Sequence, residues 1–328
     1  MLIALIILFM GLVPMMVYAL AAWWLDHWER EPLPLVMAAF LWGAVPAIVL
    51  SLIFQLTIGF VLVVGFSASE AGGSAFLAIV VAPLTEELFK ALALGLLVLF
   101  FRHEIDSIMD GLVYGAVIGF GFAAVENCFY FIQMAIENPS GLPLLIFLRA
   151  FLLGLMHGVW TSLTGLGIAL GRHQSKPLLM IAYPFLGLAA AILLHAIHNT
   201  LAHFGILGVG LALLLLWFVV FWIVVVGYFS LRRQGELIRN SLNEEIALGT
   251  LTPDQAAAAV TLRNRASYGF GLWWRSDHRS QTIKGLYQLA AELAFQKFHQ
   301  QRRPTHVKQQ RVLSTRQTLA NLSRKLCG

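Results

Sequence analysis

The sequence predicts an all-α fold: a polytopic membrane helix bundle of about seven transmembrane helices, followed by a basic and partly helical cytoplasmic tail. Two observations predict this class. Hydrophobic residues make up 59% of the 328 residues and only 12% are charged, against about 25% charged in soluble domains. The apolar residues also gather into runs of the roughly 20 residues that a helix needs to cross a bilayer. A soluble chain of this length could not bury so much apolar surface.

Seven apolar runs define the predicted crossings. They occupy Leu2–Leu25, Leu33–Phe66, Ser74–Phe101, Ile108–Ile136, Leu142–Leu170, Leu178–His203 and Ile206–Leu231. The first run lacks a basic leading segment and a small-residue cleavage site, so we expect a retained helix rather than a removed signal. The second run exceeds one straight crossing, and Pro46 gives it a point at which to bend.

Basic residues alternate between successive loops. The first, third and fifth loops contain Arg30, Arg102, and Arg172 with Lys176, whereas the second, fourth and sixth loops contain none. Because short loops rich in Lys and Arg stay on the cytoplasmic side, the pattern places the N-terminus outside and the C-terminus in the cytoplasm. We therefore expect an integral membrane protein, with the lipid bilayer as a partner.

The charge pattern divides the chain into a membrane-embedded domain, residues 1–231, and a basic cytoplasmic tail, residues 232–328. The tail holds 16 of the 22 Lys and Arg residues but only 6 of the 17 Asp and Glu residues. Such a tail is typical of a segment attracted to anionic lipid headgroups. No base-reading motif accompanies the charge, so we expect no nucleic-acid partner. The last thirty residues are polar and are predicted to be mobile.

Glycines recur at a four-residue interval in the fourth predicted span. Gly111, Gly115 and Gly119 share this spacing, which lets two helices approach closely in lipid. We interpret the stripe as helix packing rather than as a binding site. Asp110, at the start of the same span, is interpreted as a helix cap.

The third predicted span contains three ionisable residues, Glu86, Glu87 and Lys90, within apolar sequence. A charge at the centre of a membrane helix costs about 2.5–3.5 kcal/mol on insertion scales. Three unpaired charges would cancel much of the gain from the neighbouring apolar residues, so these groups must pair, carry a proton or face a wet cavity. Lys90 follows the acids by one helical turn and can pair with at least one of them.

Further polar residues lie in the later spans: Glu126 in the fourth, His157 in the fifth, and His195 with Asn199 in the sixth. His195 and Asn199 are four residues apart and share a helix face. Each residue alone has a structural explanation, such as packing or interhelical hydrogen bonding. Counting residues from the predicted membrane surfaces, however, gives four of the polar residues a similar depth, between mid-membrane and the outer third of the bilayer: Glu86, Glu126, His157 and His195. Their shared depth favours a single functional site.

These residue types suit the hydrolysis of a peptide bond. A buried carboxylate can take a proton from water and make the water nucleophilic, while His and Asn donors can stabilise the oxyanion that develops. The same donors can instead hold a divalent metal such as zinc, which activates water. The sequence contains no HExxH motif and no ligand spacing typical of zinc sites. It indicates no other cofactor, and it leaves glutamate-type and metal-assisted hydrolysis open.

Several motifs follow one another in a specific order. They are the acidic loop from Asp26 to Glu31, PLTEELFK with its EExxK core, DGLVYGAVIGFGFAAVEN, RAFLLGLMHGVWTSLTGLGIALG, and HxxxN. This ordered set, over most of residues 20–203, resembles the PrsW family of intramembrane proteases. It is also distantly similar to the CAAX prenyl endopeptidases, which have an FxxxH motif; here Phe122 is followed by Glu126, so a carboxylate replaces that histidine.

The resemblance implies a set of catalytic residues and a substrate. The implied residues are Glu86, Glu87, Glu126, His157, His195 and Asn199. The two adjacent acids would activate water, the next two residues would assist them, and the last two would stabilise the oxyanion or position the substrate. The implied reaction is site-1 cleavage of a single-pass membrane protein, typified by an anti-sigma factor, in a bacterial cytoplasmic membrane. The site is predicted to lie toward the outer half of the bilayer, a position that suits cleavage on the extracytoplasmic side.

Two other functions stay open at the level of sequence. A proton-coupled transporter also places acids and histidines at mid-membrane, although no inverted repeat or matched pair of broken helices is evident. A non-catalytic membrane scaffold would use the basic tail to recruit partners. The transporter predicts uptake into liposomes driven by a pH gradient, and the scaffold predicts activity that survives neutralisation of the buried acids.

Overall fold

The computed structural model describes residues 1–26, 28, 30–65, 70–261, 278–302 and 306–327. Helices make up nearly all of this part of the chain, and it contains no strand. The predicted all-α membrane bundle is therefore confirmed. The chain forms two compact units, one of Met1–Leu25 and Glu31–Gly227, the other of Asp26–Arg30 and Tyr228–Gly328.

The first unit is a bundle of apolar helices. Its helices are α1 (Leu2–Leu25), α2 (Leu33–Trp42), α3 (Ile48–Phe60), α4 (Glu70–Phe76), α5 (Ala82–Phe100), α6 (Ile108–Glu137), α7 (Leu142–Ile146), α8 (Met156–Arg172), α9 (Pro177–Ala202) and the first half of α10 (Gly205–Ala247). Among the described residues, six helical stretches are long and apolar enough to cross a membrane. The helix that contains Glu86 and Glu87 is not one of the six, so the number of crossings stays a prediction.

Single π-helical turns interrupt or join several of these helices. Gly43–Ala47 separates α2 from α3, Leu77–Val81 precedes α5, and Phe147–Leu152 follows α7. The first of these turns contains Pro46, the residue at which a bend is predicted. A proline has no backbone N–H, so the regular hydrogen-bond ladder is interrupted there.

The backbones of α6 and α8 approach closely. A Cβ atom added at Gly111 would lie 2.3 Å from the carbonyl oxygen of Gly165, and one added at Gly119 would lie 2.2 Å from the carbonyl oxygen of His157. The four-residue glycine spacing therefore serves helix packing, as predicted. It also places the beginning of α8, where His157 lies, directly against the middle of α6.

Helix α6 begins with a capping box. The Asp110 carboxylate accepts a hydrogen bond from the Ser107 backbone N–H at 2.6 Å, and the Ser107 hydroxyl accepts one from the Asp110 N–H at 3.3 Å. The interpretation of Asp110 as a cap is confirmed. These bonds satisfy backbone donors that every helix leaves unpaired at its start.

The second unit contains the polar half of α10, together with α11 (Pro253–Ala259), α12 (His278–Arg302) and α13 (His306–Cys327). The prediction that the last thirty residues are mobile was wrong, because most of them form α13. Val312 and Leu319 of α13 are buried in a core that also contains residues of α10 and α12. The sequence of α13 is polar overall but contains a narrow apolar stripe, because Val312 and Leu319 are seven positions apart and lie on the same helix face. Average polarity does not reveal such a stripe.

One buried carboxylate joins three helices of the second unit. Glu245 of α10 is fully buried and accepts a hydrogen bond from Lys297 of α12 at 2.9 Å. Arg316 of α13 donates to the same carboxylate from Nε at 2.8 Å and from Nη2 at 2.7 Å. A bidentate arginine–carboxylate pair fixes both distance and orientation. Part of the excess positive charge of the tail is therefore neutralised within this unit.

Candidate active site

Five of the six implied catalytic residues come together inside the first unit. Their positions are Glu86 and Glu87 on α5, Glu126 on α6, His157 on α8 and His195 on α9. The two acids of α5 and both histidines are buried, and Glu126 is partly buried. Four helices therefore supply polar side chains to one centre within an otherwise apolar bundle.

Glu87 organises this centre through both of its carboxylate oxygens. Its Oε1 accepts a hydrogen bond from Lys90 Nζ at 2.8 Å and lies 3.1 Å from His195 Nδ1. Its Oε2 accepts a hydrogen bond from the Thr161 hydroxyl at 3.1 Å. Because three helices contribute these partners, Glu87 links α5 to α8 and α9, and each of its oxygens already has a hydrogen-bond partner.

Glu86 has different surroundings. Its Oε1 accepts a hydrogen bond from Gln55 Nε2 at 3.3 Å. Its Oε2 is buried and has no hydrogen-bond partner among the described residues; Lys90 Nζ and His195 Nε2 each lie 3.9 Å away from it. Buried polar atoms are nearly always hydrogen-bonded, and a gap of this length between polar groups is one that a bridging water can fill. Glu86 Oε2 is therefore an atom of the centre that can accept a hydrogen bond from a water molecule.

Glu126 connects the centre to a second ion pair. Its carboxylate is hydrogen-bonded by the Arg149 guanidinium and lies 2.9 Å from His157 Nε2. Arg149 also donates from Nε to Asn127 Oδ1 at 3.0 Å and lies 3.8 Å from the centre of the Tyr130 ring. These contacts hold the guanidinium in place, so Arg149 fixes Glu126, and Glu126 in turn fixes the ring of His157.

The hydrogen-bond partners assign a tautomer to each histidine. A carboxylate only accepts, so His195 donates from Nδ1 to Glu87 and keeps a lone pair on Nε2. An ammonium only donates, so His157 accepts from Lys90 at Nδ1, at 3.0 Å, and donates from Nε2 to Glu126. Each imidazole is thus held by a carboxylate through one nitrogen. Metal-binding histidines are commonly oriented in this way.

Trp160 covers the two histidines from one side. Its indole stacks on the His195 ring, with ring centres 4.1 Å apart and planes 18° apart. It meets the His157 ring edge-on at 4.8 Å. Stacking restricts rotation of both imidazoles, and the buried indole makes this side of the centre apolar.

Asn199, the sixth implied residue, has another partner. Its Nδ2 donates to the carbonyl oxygen of Ala78, in the π-helical turn before α5, at 2.7 Å. One turn of helix separates Asn199 from His195, a rise of about 6 Å. The observed hydrogen bond ties α9 to the segment that precedes α5, and a role for Asn199 in stabilising an oxyanion stays a prediction.

The centre can supply ligands to a divalent metal. One donor atom each from Glu86, His157 and His195 lies within 4.8 Å of the other two. Two features fit such an ion: the Glu86 Oε2 atom is buried without a hydrogen bond, and both histidines are oriented by carboxylates, Glu87 and Glu126. Two imidazoles and one carboxylate form a donor set found in catalytic zinc sites.

Several residues of the centre were not among the implied catalytic residues. They are Gln55, Lys90, Arg149, Trp160 and Thr161. Three of them carry a signal in the sequence, because a lone Gln, Lys or Arg inside an apolar span is costly unless it has a partner. Thr161 lies four residues after His157 and so shares its helix face. Trp160 has no comparable signal, since aromatic residues are common throughout the spans.

The fold and the centre together define a class: an integral membrane protein with a buried cluster of carboxylates, histidines and one lysine suited to activating water. Comparison with protein families identifies the family within that class. The profile described as PrsW family intramembrane metalloprotease matches residues 31–227, which is more than half of the chain and includes every residue of the centre. The chain belongs to this family.

Individual relatives agree with that assignment. Protease PrsW of Bacillus subtilis is 29% identical over 151 residues, which are 46% of this chain and 59% of that protein. Protease PrsW of Geobacillus kaustophilus is 32% identical over 120 residues, 37% of this chain and 49% of the relative. The matches to these two relatives thus cover less than two-thirds of their length. Protease PrsW of Oceanobacillus iheyensis is 28% identical over 208 residues, 63% of this chain and 86% of the relative. No solved structure matches the chain.

Proposed function

We propose that this protein is an intramembrane endopeptidase that hydrolyses a peptide bond of a membrane-protein substrate. The observation that carries the proposal is the position of Glu86 Oε2, which is buried without a hydrogen bond and lies 3.9 Å from both Lys90 Nζ and His195 Nε2. A carboxylate oxygen beside a donor and an acceptor, inside an apolar bundle, is suited to hold and deprotonate one water molecule.

The proposed reaction follows from the donors and acceptors of the centre. A water molecule donates one hydrogen to Glu86 Oε2 and the other to the lone pair of His195 Nε2. Glu86 takes the first proton while the water oxygen attacks the peptide carbonyl carbon. The carbon–nitrogen bond then breaks, and the proton on Glu86 passes to the leaving amine.

Lys90 is suited to stabilise the oxyanion that forms during this attack. Glu87 and His157 use two of its three N–H bonds, so one N–H can donate to the developing negative charge. A positive charge already held in place before the reaction loses little energy in reorganisation. This assignment differs from the one implied by family resemblance, which gives the oxyanion role to His195 and Asn199.

The family description names a metalloprotease, and the centre fits that description as well. Glu86, His157 and His195 are the residues that would hold a divalent metal such as zinc, which would supply Lewis-acid activation of the water and the carbonyl. Glu87 and Glu126 would then orient the two histidines. Cleavage that persists after complete metal removal, verified by elemental analysis, would establish the glutamate-type reaction; loss on chelation and recovery with zinc would establish the metal-assisted one.

We further propose a single-pass membrane protein as the substrate, typified by an anti-sigma factor, cut on the extracytoplasmic side. This proposal is supported by the resemblance to the family and by the predicted orientation, with the N-terminus outside and the basic tail in the cytoplasm. Cell fractionation with a reporter fused to either terminus tests the orientation, and mass spectrometry of the products locates the cut.

Replacing Glu86 by Gln tests the reaction directly. Glu86→Gln keeps the size of the side chain but cannot accept the proton, so we expect cleavage of a fluorogenic transmembrane peptide in nanodiscs to fall by about 10²–10⁴-fold. Glu137→Gln is the matched control, because Glu137 is exposed at the end of α6 and should retain full activity. Normal cleavage by a folded Glu86→Gln variant would rule out the proposed base.

A further inference from the structure

Lys90 places a positive charge inside the donor set of the candidate metal centre. Its ammonium lies 3.0 Å from His157 Nδ1 and 3.9 Å from Glu86 Oε2, and the side chain is fully buried. We propose that Lys90 competes with a divalent metal for His157, so that metal can use His157 only when Lys90 releases the Nδ1 lone pair. The inference rests on the proposed function insofar as it concerns the same centre.

Of the three candidate metal ligands, only His157 has its lone pair occupied by a hydrogen bond from Lys90. Glu86 Oε2 has no hydrogen-bond partner among the described residues, and His195 keeps a lone pair on Nε2 because its other nitrogen faces Glu87. His157 differs, since Nε2 is engaged with Glu126 at 2.9 Å and Nδ1 accepts from Lys90. Two donors are therefore open and the third is occupied by a cation that belongs to the chain itself.

The surroundings of Lys90 allow its ammonium to leave His157 while it stays paired. Glu87 Oε1 lies 2.8 Å from Nζ, and the Phe122 ring centre lies 3.9 Å from it. A lysine has a flexible four-carbon stem and a compact charge, so a small rotation can move Nζ away from the histidine without breaking the ion pair with Glu87. Release of His157 therefore does not require an unpaired charge inside the bundle.

A different explanation is that Lys90 only neutralises the buried Glu87 carboxylate and supports the centre. The two explanations predict opposite effects on metal affinity. If Lys90 is a support, its removal loosens the donors and weakens metal binding. If Lys90 is a competitor, its removal uncovers His157 Nδ1 and strengthens metal binding.

Zinc affinity of the purified full-length protein in nanodiscs distinguishes the two explanations, measured by competition with a chromophoric chelator. We expect Lys90→Met to bind zinc about 10–100-fold more tightly than the wild type, the range typical of changes next to metal ligands. Lys176→Met removes an exposed lysine and should leave the affinity unchanged. Weaker, unchanged or absent zinc binding by folded Lys90→Met protein overturns the proposal.

A double-mutant cycle separates competition for His157 from a general effect of charge. In a His157→Gln background the lone pair is absent, so Lys90→Met should change zinc affinity by less than about threefold, well below its effect in the wild-type background. An equal gain in both backgrounds would mean that Lys90 acts on the metal only through its charge, and the proposal would be wrong.

A measurement on the wild type keeps the proposal testable if Lys90→Met does not fold. X-ray absorption of zinc-loaded wild-type protein counts the imidazole ligands, and two are expected once Lys90 has been displaced. One imidazole at saturating zinc would mean that Lys90 keeps His157, which contradicts the proposal. These readouts do not depend on peptide cleavage, so a failure here is distinguishable from inactivity of the proposed peptidase.

Discussion

Glu86 and Glu87 are neighbours in sequence, but their carboxylates have different surroundings. Successive residues of a helix point about 100° apart, so the two side chains have different neighbours: Gln55 of α3 for Glu86 and Thr161 of α8 for Glu87, although His195 lies near both. Glu87 is enclosed by Lys90, Thr161 and His195, whereas one oxygen of Glu86 has no hydrogen-bond partner among the described residues. We therefore propose that Glu86 transfers the proton and that Glu87 organises the centre.

Replacing Glu87 by Ala should reduce stability more than the same change at Glu86. Removing one partner of a fully buried ion pair costs about 3–5 kcal/mol when the remaining charge is left uncompensated. Without Glu87, Lys90 keeps only the more distant carboxylate of Glu86, 3.9 Å away, so we expect a loss toward the lower end of that range. Glu86 makes a single longer hydrogen bond, at 3.3 Å to Gln55, so its loss should cost less. Thermal unfolding in detergent measures the difference, and equal melting temperatures for the two variants would contradict the assignment.

The sequence predicts which residues meet, but it does not predict which atoms meet. The depth of Glu86, Glu126, His157 and His195 along their spans follows from counting residues, because the rise per residue is constant. The rotation of each helix about its axis is set by packing that a single sequence does not show. For that reason the family pattern groups Asn199 with His195, although the Asn199 amide is hydrogen-bonded to the Ala78 carbonyl.

At the scale of helices, the contact between α6 and α8 sets the position of His157. The carbonyl oxygen of His157 lies only 2.2 Å from the position of a Cβ atom added at Gly119, so no side chain separates the two backbones at this point. Any side chain on this face of α6 would push α8 outward. His157 would then move away from Lys90 and from Glu126, which lies two turns further along α6.

Gly119→Ala should therefore destabilise the bundle and lower activity. The added methyl would be 2.2 Å from the His157 carbonyl oxygen, and overpacking of this kind costs about 1–3 kcal/mol. Gly95→Ala is a matched control on α5, since a methyl group added there would have no atom within 4 Å, and it should be neutral or stabilising by up to about 1 kcal/mol. Equal unfolding free energies for the two variants would show that the α6–α8 contact can adjust.

At the scale of the whole molecule, composition predicts the membrane bundle well and the second unit poorly. Apolar runs of 20 or more residues have few alternatives to membrane helices, so the bounds of α1, α6 and α9 agree with the predicted runs to within a few residues. The polar end of the chain has no such run, and its sequence gives a weaker signal of which residues are buried. A core can form from a narrow stripe of apolar residues in a polar helix, as Val312 and Leu319 of α13 demonstrate.

Glu245→Gln tests whether the second unit depends on its buried charge. Glu245 accepts hydrogen bonds from Lys297 and Arg316. Without its charge both cations keep only Glu244, which lies 2.6 Å from Lys297 and 3.5 Å from Arg316, so we expect a loss of about 1–3 kcal/mol in stability. Hydrogen exchange of the α13 amides should increase accordingly. Glu292→Gln, at an exposed position of α12, should leave the exchange unchanged; no difference between the variants would mean that apolar packing alone maintains this unit.

The ion pairs of the centre have a consequence for what can occupy it. Lys90 neutralises Glu87 and Arg149 neutralises Glu126, while the two histidines are assigned as uncharged, so Glu86 is the carboxylate left without a balancing cation. In a medium of low polarity this unbalanced negative charge favours occupants that donate a hydrogen bond to it or carry a positive charge. Small-molecule inhibitors of the metal-free centre should accordingly be amines or amidines, whereas hydroxamates and carboxylates should bind only after a metal has reversed the sign of the charge.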